Sequence, residues 1–449
     1  MRLSLFVGLL LIALAFWKGN GGYLDLREYL DDAERMWIKG DLRLPSEPGA
    51  PPEYNRYSLG LPFISGPFVL IGELASRITS GTVSRRAIAA FSVPVFGALV
   101  GVLLFEICLL LNFSKRIALC SALLLCLGSP HLTYTRFFNA EIGVELGILL
   151  AVWSWLKLMR DGSRPAWSLL CGVGLAIAGA SHYPHAAMVG CVAACFFFGI
   201  LFTSPPALSK SVIARNAILF ALAPIIAATV LIALNFSRYG GLVPTGYKHE
   251  VNANIAPIYI RGNLHYVADL CMRTPWFFPA LIFGGVALWK RTIPRLPPAA
   301  PTFLAAAIIS GVCAQLLFWL CYYQLSMFPI RYLQPMAALA ALGLPFILQW
   351  LDDRLPGRGV AYALLLLLLS NTLQFFGDTI FQPLLAAPPE RGSGVWFYTW
   401  YMQPIAAGSS FEGGSPSGAI QFCVLTALLG LGVWELTHAF SIARKDASG

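Results

Sequence analysis

Residues 87–111 read AIAAFSVPVFGALVGVLLFEICLLL and carry one charged side chain, Glu106. A run this long and this apolar exceeds the about 20 residues that a helix needs to cross a bilayer core. Working outward from it, further runs of the same kind occupy 3–17, 117–135, 142–159, 166–182, 185–203, 216–236, 275–289, 301–322, 332–350, 360–380 and 419–440. The expected fold is therefore an all-α polytopic membrane protein of about twelve transmembrane helices.

Composition agrees. Of 449 residues, 57% are hydrophobic and only 12% charged, where a soluble domain carries about a quarter. Too little polar surface remains to clothe a water-soluble globule of this size. The net charge of +9 is scattered along the chain, which excludes the single basic stripe of a nucleic-acid binder. The 10 cysteines show no CxxC pair and fall largely in apolar runs, so they read as small packing residues. Met1 to Trp17 is followed by further apolar runs, so an uncleaved first helix is expected.

One apolar stretch, 59–75, is broken by Gly60, Pro62, Gly66 and Pro67. If it does not cross, and the N-terminus is cytoplasmic, the inward connections hold Lys115, Arg116, Lys157, Arg160, Arg164, Lys210, Arg215, Lys290, Arg291, Arg295, Arg354, Arg358, Arg444 and Lys445. A crossing would invert every later loop and reverse that bias, against the positive-inside rule. The reading is a single transmembrane domain over 1–449 with both termini cytoplasmic. Its long outward, periplasmic loops are 18–86, 237–274 and 381–418, and short ones lie at 136–141, 182–185 and 323–331. Polar and aromatic residues gather on that one face, where chemistry is expected.

In the first loop, Leu26, Tyr29, Leu30, Ala33, Met36 and Trp37 recur at helical spacing, which predicts an amphipathic juxtamembrane helix. Asp25 stands at its N-cap position, where it either caps the helix or acts as a base toward an acceptor hydroxyl. Arg56 and Tyr57 precede the broken stretch, as an interfacial anchor or as substrate contacts. Glu141 sits where one span hands over to the next, a costly depth for a carboxylate without a partner or a function; Arg136 is the near candidate partner. His182 and His185 flank a helical break and suit hydrogen bonds to sugar or phosphate, or metal ligation. Tyr247 and Lys248 lie in the fourth loop. Arg331, at the outer mouth of a helix, either snorkels or grips a phosphate. The aromatic run Trp396 to Tyr401 reads as an interfacial belt or a sugar-stacking platform.

In order along the chain, Asp25-x-x-x-Tyr29-x-x-x-Ala33, Tyr57-Ser-Leu-Gly60-Leu-Pro62, Phe138-Asn-Ala-Glu141, Arg238-Tyr-Gly-Gly and Thr245-Gly-Tyr247, and Pro329-Ile-Arg331-Tyr332-Leu-x-Pro335 resemble the GT-C class of polytopic glycosyltransferases. The likeness is to the bacterial branch related to protein O-mannosyltransferases and to lipid A aminoarabinose transferases. It implies a membrane glycosyltransferase that uses a polyprenyl-phosphate sugar, usually with inversion, and a lipid, glycan or protein acceptor. It implies Asp25 as catalytic base and Glu141 as a second acidic group toward acceptor or metal. Arg331 would hold the donor phosphate; Lys248, on physical grounds, is a second cation that could stabilise the negative charge as the lipid phosphate departs. Tyr29, Arg56, Tyr57, His182, His185 and Tyr247 are then candidate substrate contacts, and a divalent metal is an open question. The class often pairs two adjacent acids in the first loop; here Asp25 is flanked by Leu24 and Leu26. The alternatives are a flippase or transporter of a lipid-linked sugar, for which Glu106 is the one carboxylate well inside a span, and an O-antigen polymerase or ligase.

Overall fold

The computed structural model describes residues 1–15, 24–44, 54–55, 58–135, 138–162, 164–203, 208–241, 274–321 and 329–355, with a few positions between 260 and 271 and between 359 and 367. Among these residues the chain is helical, and the sole β feature is an isolated bridge between Arg43 and Tyr54.

The helices are α1 (Arg2–Ala15), α2 (Leu24–Glu34, prolonged by a π turn Arg35–Lys39), α3 (Gly60–Ile64), α4 (Gly66–Ile78), α5 (Arg85–Ala90), α6 (Ser92–Leu110), α7 (Lys115–Leu127) and α8 (His131–Tyr134). There follow α9 (Ala140–Asp161), α10 (Pro165–Ser181), a 3-10 turn Tyr183–His185, α11 (Ala186–Thr203) and α12 (Lys210–Tyr239). The last are α13 (Phe277–Lys290), α14 (Ala300–Leu320), α15 (Pro329–Ala340), a 3-10 turn Ala341–Gly343 and α16 (Leu344–Arg354). Their starts are written in the sequence. Ser84, Ser114 and Asn139 cap α5, α7 and α9 by accepting from the backbone N–H of Ala87, Ile117 and Glu141, and Pro165 opens α10, where its missing N–H costs nothing.

Among the described residues, six helices are long and apolar enough to cross a membrane: Arg85–Leu110, Ala140–Asp161, Tyr183–Thr203, Lys210–Tyr239, Ala300–Leu320 and Gln334–Arg354. Arg2–Leu14, Pro165–Ser181 and Phe277–Lys290 are shorter apolar helices. The outer surface is greasy as well. Ile218, Leu222, Ile225 and Ile226 of α12, and Ile282, Phe283, Val286 and Trp289 of α13, are exposed, which only a lipid solvent tolerates. The protein is a multi-pass membrane protein. Two expected spans are interrupted. The 117–135 run stops as a helix at Leu127 and resumes as α8, and 332–350 passes through the 3-10 turn at Ala341–Gly343. The expected spans 360–380 and 419–440 lie outside the described residues, apart from a few positions near 361–367.

The helix ends fall into two groups. At one end Arg291 stacks on Phe113 and Phe346, 4.8 and 5.4 Å from their ring centres, and the Asn216 amide donates to the Gly162 carbonyl. There too the Arg2 guanidinium pairs with Glu106, the carboxylate that the sequence offered for a transport reading. At the other end gather α2 to α5, the start of α9, the His182 break, the end of α12 and the start of α15.

The broken stretch does not cross. At 13 residues α4 is about 20 Å long, short of a hydrocarbon core of about 30 Å. Gly60 lies against the end of α10, where an added Cβ would come within 2.3 Å of the Ala180 backbone. The far end returns to the same side, since Arg85 bonds Glu34 at 3.0 Å and Glu73 at 3.3 Å, while Arg86 bonds Glu34 at 3.0 Å and Asp31 at 2.5 Å. Between them, Trp37 wedges into the α3–α4 corner and donates its indole N–H to the Pro62 carbonyl. Phe63, Leu70, Ile71, Leu74 and Ile78 remain exposed, an apolar face that lies against lipid.

Candidate active site

The first loop is built onto the start of α9. Tyr29, Leu30 and Ala33 of α2 share one buried cluster with Leu61, Val93, Phe96, Phe138, Ala140 and Ile142. The helical spacing that predicts α2 therefore also predicts the face it buries. Asp25 falls within the first turn of α2, not at a cap before it; its side chain lies outside the described set. Tyr29 is fully buried, so it is a packing residue at the base of the loop rather than an open substrate contact.

Glu141 is buried in the first turn of α9, where the helix N-terminus favours a negative charge. Arg331 occupies the first turn of α15, a helix that packs against α9 and α14; its side chain, like Asp25's, is not described. The helix bearing Asp25 thus shares a buried cluster with the start of α9, where Glu141 lies, and α15, which bears Arg331, packs against α9. Arg56, Tyr57, Tyr247, Lys248, Arg136 and the 396–401 aromatic run lie outside the described residues.

His182 and His185 do come together. Their Nδ1 atoms are 2.8 Å apart and both rings are buried. His185 lies edge-on to Trp319 at 6.1 Å, and the Gln315 amide donates to the Pro184 carbonyl. Among the described residues no three His, Cys, Asp or Glu side chains gather as a metal ligand set.

A second polar cluster was not anticipated from the sequence. Asp32, on the inner face of α2, is fully buried, and its Oδ1 accepts from the Asn55 amide at 3.0 Å. The same amide donates to the Glu28 carbonyl. The Asn55 carbonyl in turn accepts from the Arg238 guanidinium and from the Tyr239 hydroxyl. Arg238 lies over the rings of Tyr239 and Tyr54, 4.9 and 5.7 Å from their centres. Tyr183, held through its backbone N–H by Ser58 Oγ at 3.1 Å, completes the group beside Asn235. The signal for Asp32 was present: an acid three residues after Tyr29 and four before Met36 falls on the apolar stripe. Arg238 appeared only as part of a motif.

Burial pushes the Asp32 carboxyl up to about 7, against the lowering pull of Arg238 and of the Asn55 hydrogen bond, with Glu28 and Asp31 adding to the rise. A raised folded-state value means that folding favours the protonated form. The stability this group contributes is complete below its unfolded value near 3.8 and is lost as pH rises to about 7. Thermal melting in detergent should therefore show wild type losing ground to Asp32→Asn between pH 4 and 7, with a constant gap above. Parallel melting curves across that range would contradict the buried, protonated assignment.

Comparison with known proteins agrees with this architecture. The family model for dolichyl-phosphate-mannose-protein mannosyltransferase matches residues 70–240, less than half of the chain. Among solved structures, ArnT from Cupriavidus metallidurans bound to undecaprenyl phosphate is similar over 98% of this chain and 76% of its own, with TM-score 0.56 and 15% identity. The archaeal oligosaccharyltransferase AglB from Archaeoglobus fulgidus, in complex with an inhibitory peptide and a dolichol-phosphate, is similar over 93% of this chain, with TM-score 0.51 and 13% identity. The chain spans 60% of that enzyme's length. No curated protein matches the sequence. The fold is that of the GT-C polytopic glycosyltransferases, and the matched segment supports a glycosyltransferase.

Proposed function

We propose that the protein transfers a sugar from a polyprenyl-phosphate donor to a hydroxyl acceptor on a lipid, glycan or protein, at the periplasmic face of a bacterial inner membrane. Both termini lie in the cytoplasm, and the basic end of the bundle faces inward. What supports the reading is that α2 shares a buried cluster with the start of α9, and that α15 packs against α9. Those elements bear Asp25, Glu141 and Arg331.

In the proposed step the acceptor oxygen attacks the anomeric carbon and gives its proton to Asp25. The bond from that carbon to the phosphate oxygen breaks, and the lipid phosphate leaves with the electron pair. Arg331 and Lys248 hold the negative charge that develops there. Attack opposite to departure inverts the anomeric centre. Glu141 orients the acceptor. Arg56, Tyr57, Tyr247 and the His182–His185 pair border the substrate, and the exposed apolar face of α4 receives the isoprenoid chain. Glu106, which the sequence offered for transport, is paired with Arg2.

The test is purified protein in nanodiscs given a panel of polyprenyl-phosphate sugars. Wild type should hydrolyse or transfer at least one of them. Arg331→Gln should weaken donor use about 10- to 100-fold, the worth of one or two charge-assisted hydrogen bonds. Movement of an intact lipid-linked sugar across the bilayer, without cleavage, would replace transfer by transport.

A further inference from the structure

Asp32 and Arg238 are buried, 0% and 7% exposed, and each has hydrogen-bonding capacity left over. Asp32 Oδ2 has no partner, and neither do Arg238 Nε and the Arg238 terminal nitrogen that does not bond Asn55. The two side chains influence each other electrostatically but do not form an ion pair. Tyr54, Tyr239 and Asn55 stand around them, with the two tyrosine rings edge to face at 6.0 Å. Leaving such groups unanswered in a buried setting costs about 1–3 kcal/mol each, so an occupant able to answer both is the economical reading.

The charges decide its chemistry. An anion placed against Arg238 would meet the Asp32 carboxyl oxygen. A cation drawn to Asp32 would meet the guanidinium. A neutral hydroxyl that both donates and accepts satisfies each in turn: it bonds Oδ2 whether or not that oxygen carries the carboxyl proton, and an oxygen of the same group accepts from the guanidinium. Neighbouring hydroxyls on one ring do this with fixed spacing, and aromatic walls suit the apolar face of such a ring.

We propose that Asp32 and Arg238 form a subsite for the hydroxyls of a neutral pyranose. Within the glycosyl-transfer reading, on which this rests, the ring belongs either to the lipid-linked donor or to a glycan acceptor. Asp32 stands two turns beyond Asp25 in the same helix, so one helix carries both the group assigned to chemistry and the group assigned to recognition.

The experiment measures binding of polyprenyl-phosphate hexoses and of sugar-free polyprenyl phosphate to the protein in nanodiscs, and glycan-acceptor KM in the transfer assay, for wild type and Asp32→Asn. If the donor sugar fills the subsite, the variant binds the hexose-bearing lipid about 10- to 100-fold more weakly and the sugar-free lipid unchanged. If the acceptor glycan fills it, both lipids bind as before and acceptor KM rises by a similar factor. Either result supports the subsite and names its occupant. No change in any arm, or equal weakening toward both lipids, overturns it while leaving transfer by wild type intact. Wild type that neither binds polyprenyl phosphate nor transfers sugar would remove the glycosyl-transfer reading and this subsite with it. Arg238→Gln, which retains an N–H donor for the Asn55 carbonyl, should show the same selectivity, and it decides the matter if Asp32→Asn fails to fold.

Discussion

Asp25→Asn is expected to slow sugar transfer about 10²- to 10⁴-fold, the usual worth of a positioned general base, while donor binding changes little. Two readings of this residue compete, and the substitution separates them. In the first helical turn a carboxylate gains only a modest interaction with the helix dipole, so a purely structural Asp25 would leave turnover unchanged and melting temperature at most slightly lower. As a base, the amide cannot take the acceptor proton, and turnover collapses in a protein that still melts normally. The first turn of α2 already holds Asp25, and the helix is pinned at its far end by the Asp31, Glu34, Arg85 and Arg86 network. Its fold therefore does not hang on one cap. The decisive measurement is kcat beside the donor dissociation constant. Equal kcat for wild type and Asp25→Asn removes Asp25 from the mechanism, and a loss confined to donor affinity reassigns it to binding.

Much of this arrangement was legible before any coordinates. Hydropathy found α9, α10, α11 and α14 to within a few residues of their ends, because lipid forces every backbone group to be satisfied inside the helix. Charge placed the broken stretch on one side of the bilayer, and the Arg85–Glu34 pair returns it there. Apolar runs alone could not locate the interruptions at Gly128–Pro130 and Ala341–Gly343, since a run keeps its hydropathy where its helix breaks. The site was readable by element, not by contact. Asp25 and Arg331 could be assigned to the same end of the bundle from topology. The Asn55 bridge between Asp32 and Arg238 joins positions 23 and 183 residues apart, a pairing that no local pattern encodes. The stripe containing Asp32 looked apolar around it, and a buried acid on such a stripe is informative only once its partner is known.

Glu145→Ala should destabilise the protein by about 3–5 kcal/mol, the usual result of removing one member of a buried ionisable pair. Glu145 is fully buried one turn after Glu141, and its Oε2 lies 2.5 Å from His131 Nδ1. The other ring nitrogen of His131 faces the Gly97 carbonyl at 3.2 Å. A carbonyl only accepts, so Nε2 carries hydrogen, and a second proton sits between Nδ1 and the carboxylate. The pair is net neutral while both partners are present. Removal of the carboxylate strands an imidazole between helices, and Gly97 leaves it no room to retreat: a Cβ there would already lie 2.2 Å from Thr135 and 3.3 Å from the His131 ring. Replacing both members, as in His131→Phe with Glu145→Leu, removes the stranded polar groups together, and buried pairs exchanged in this way are often neutral or stabilising. Denaturant or thermal unfolding in detergent should therefore rank the single variant far below wild type and the double variant near it. The double variant also isolates what the pair does for catalysis. It keeps the corner at which Asn139 caps α9 and Glu141 begins it. Normal stability with reduced kcat would then mean that the polar pair aligns that corner, whereas normal stability with normal kcat would mean that it serves packing alone.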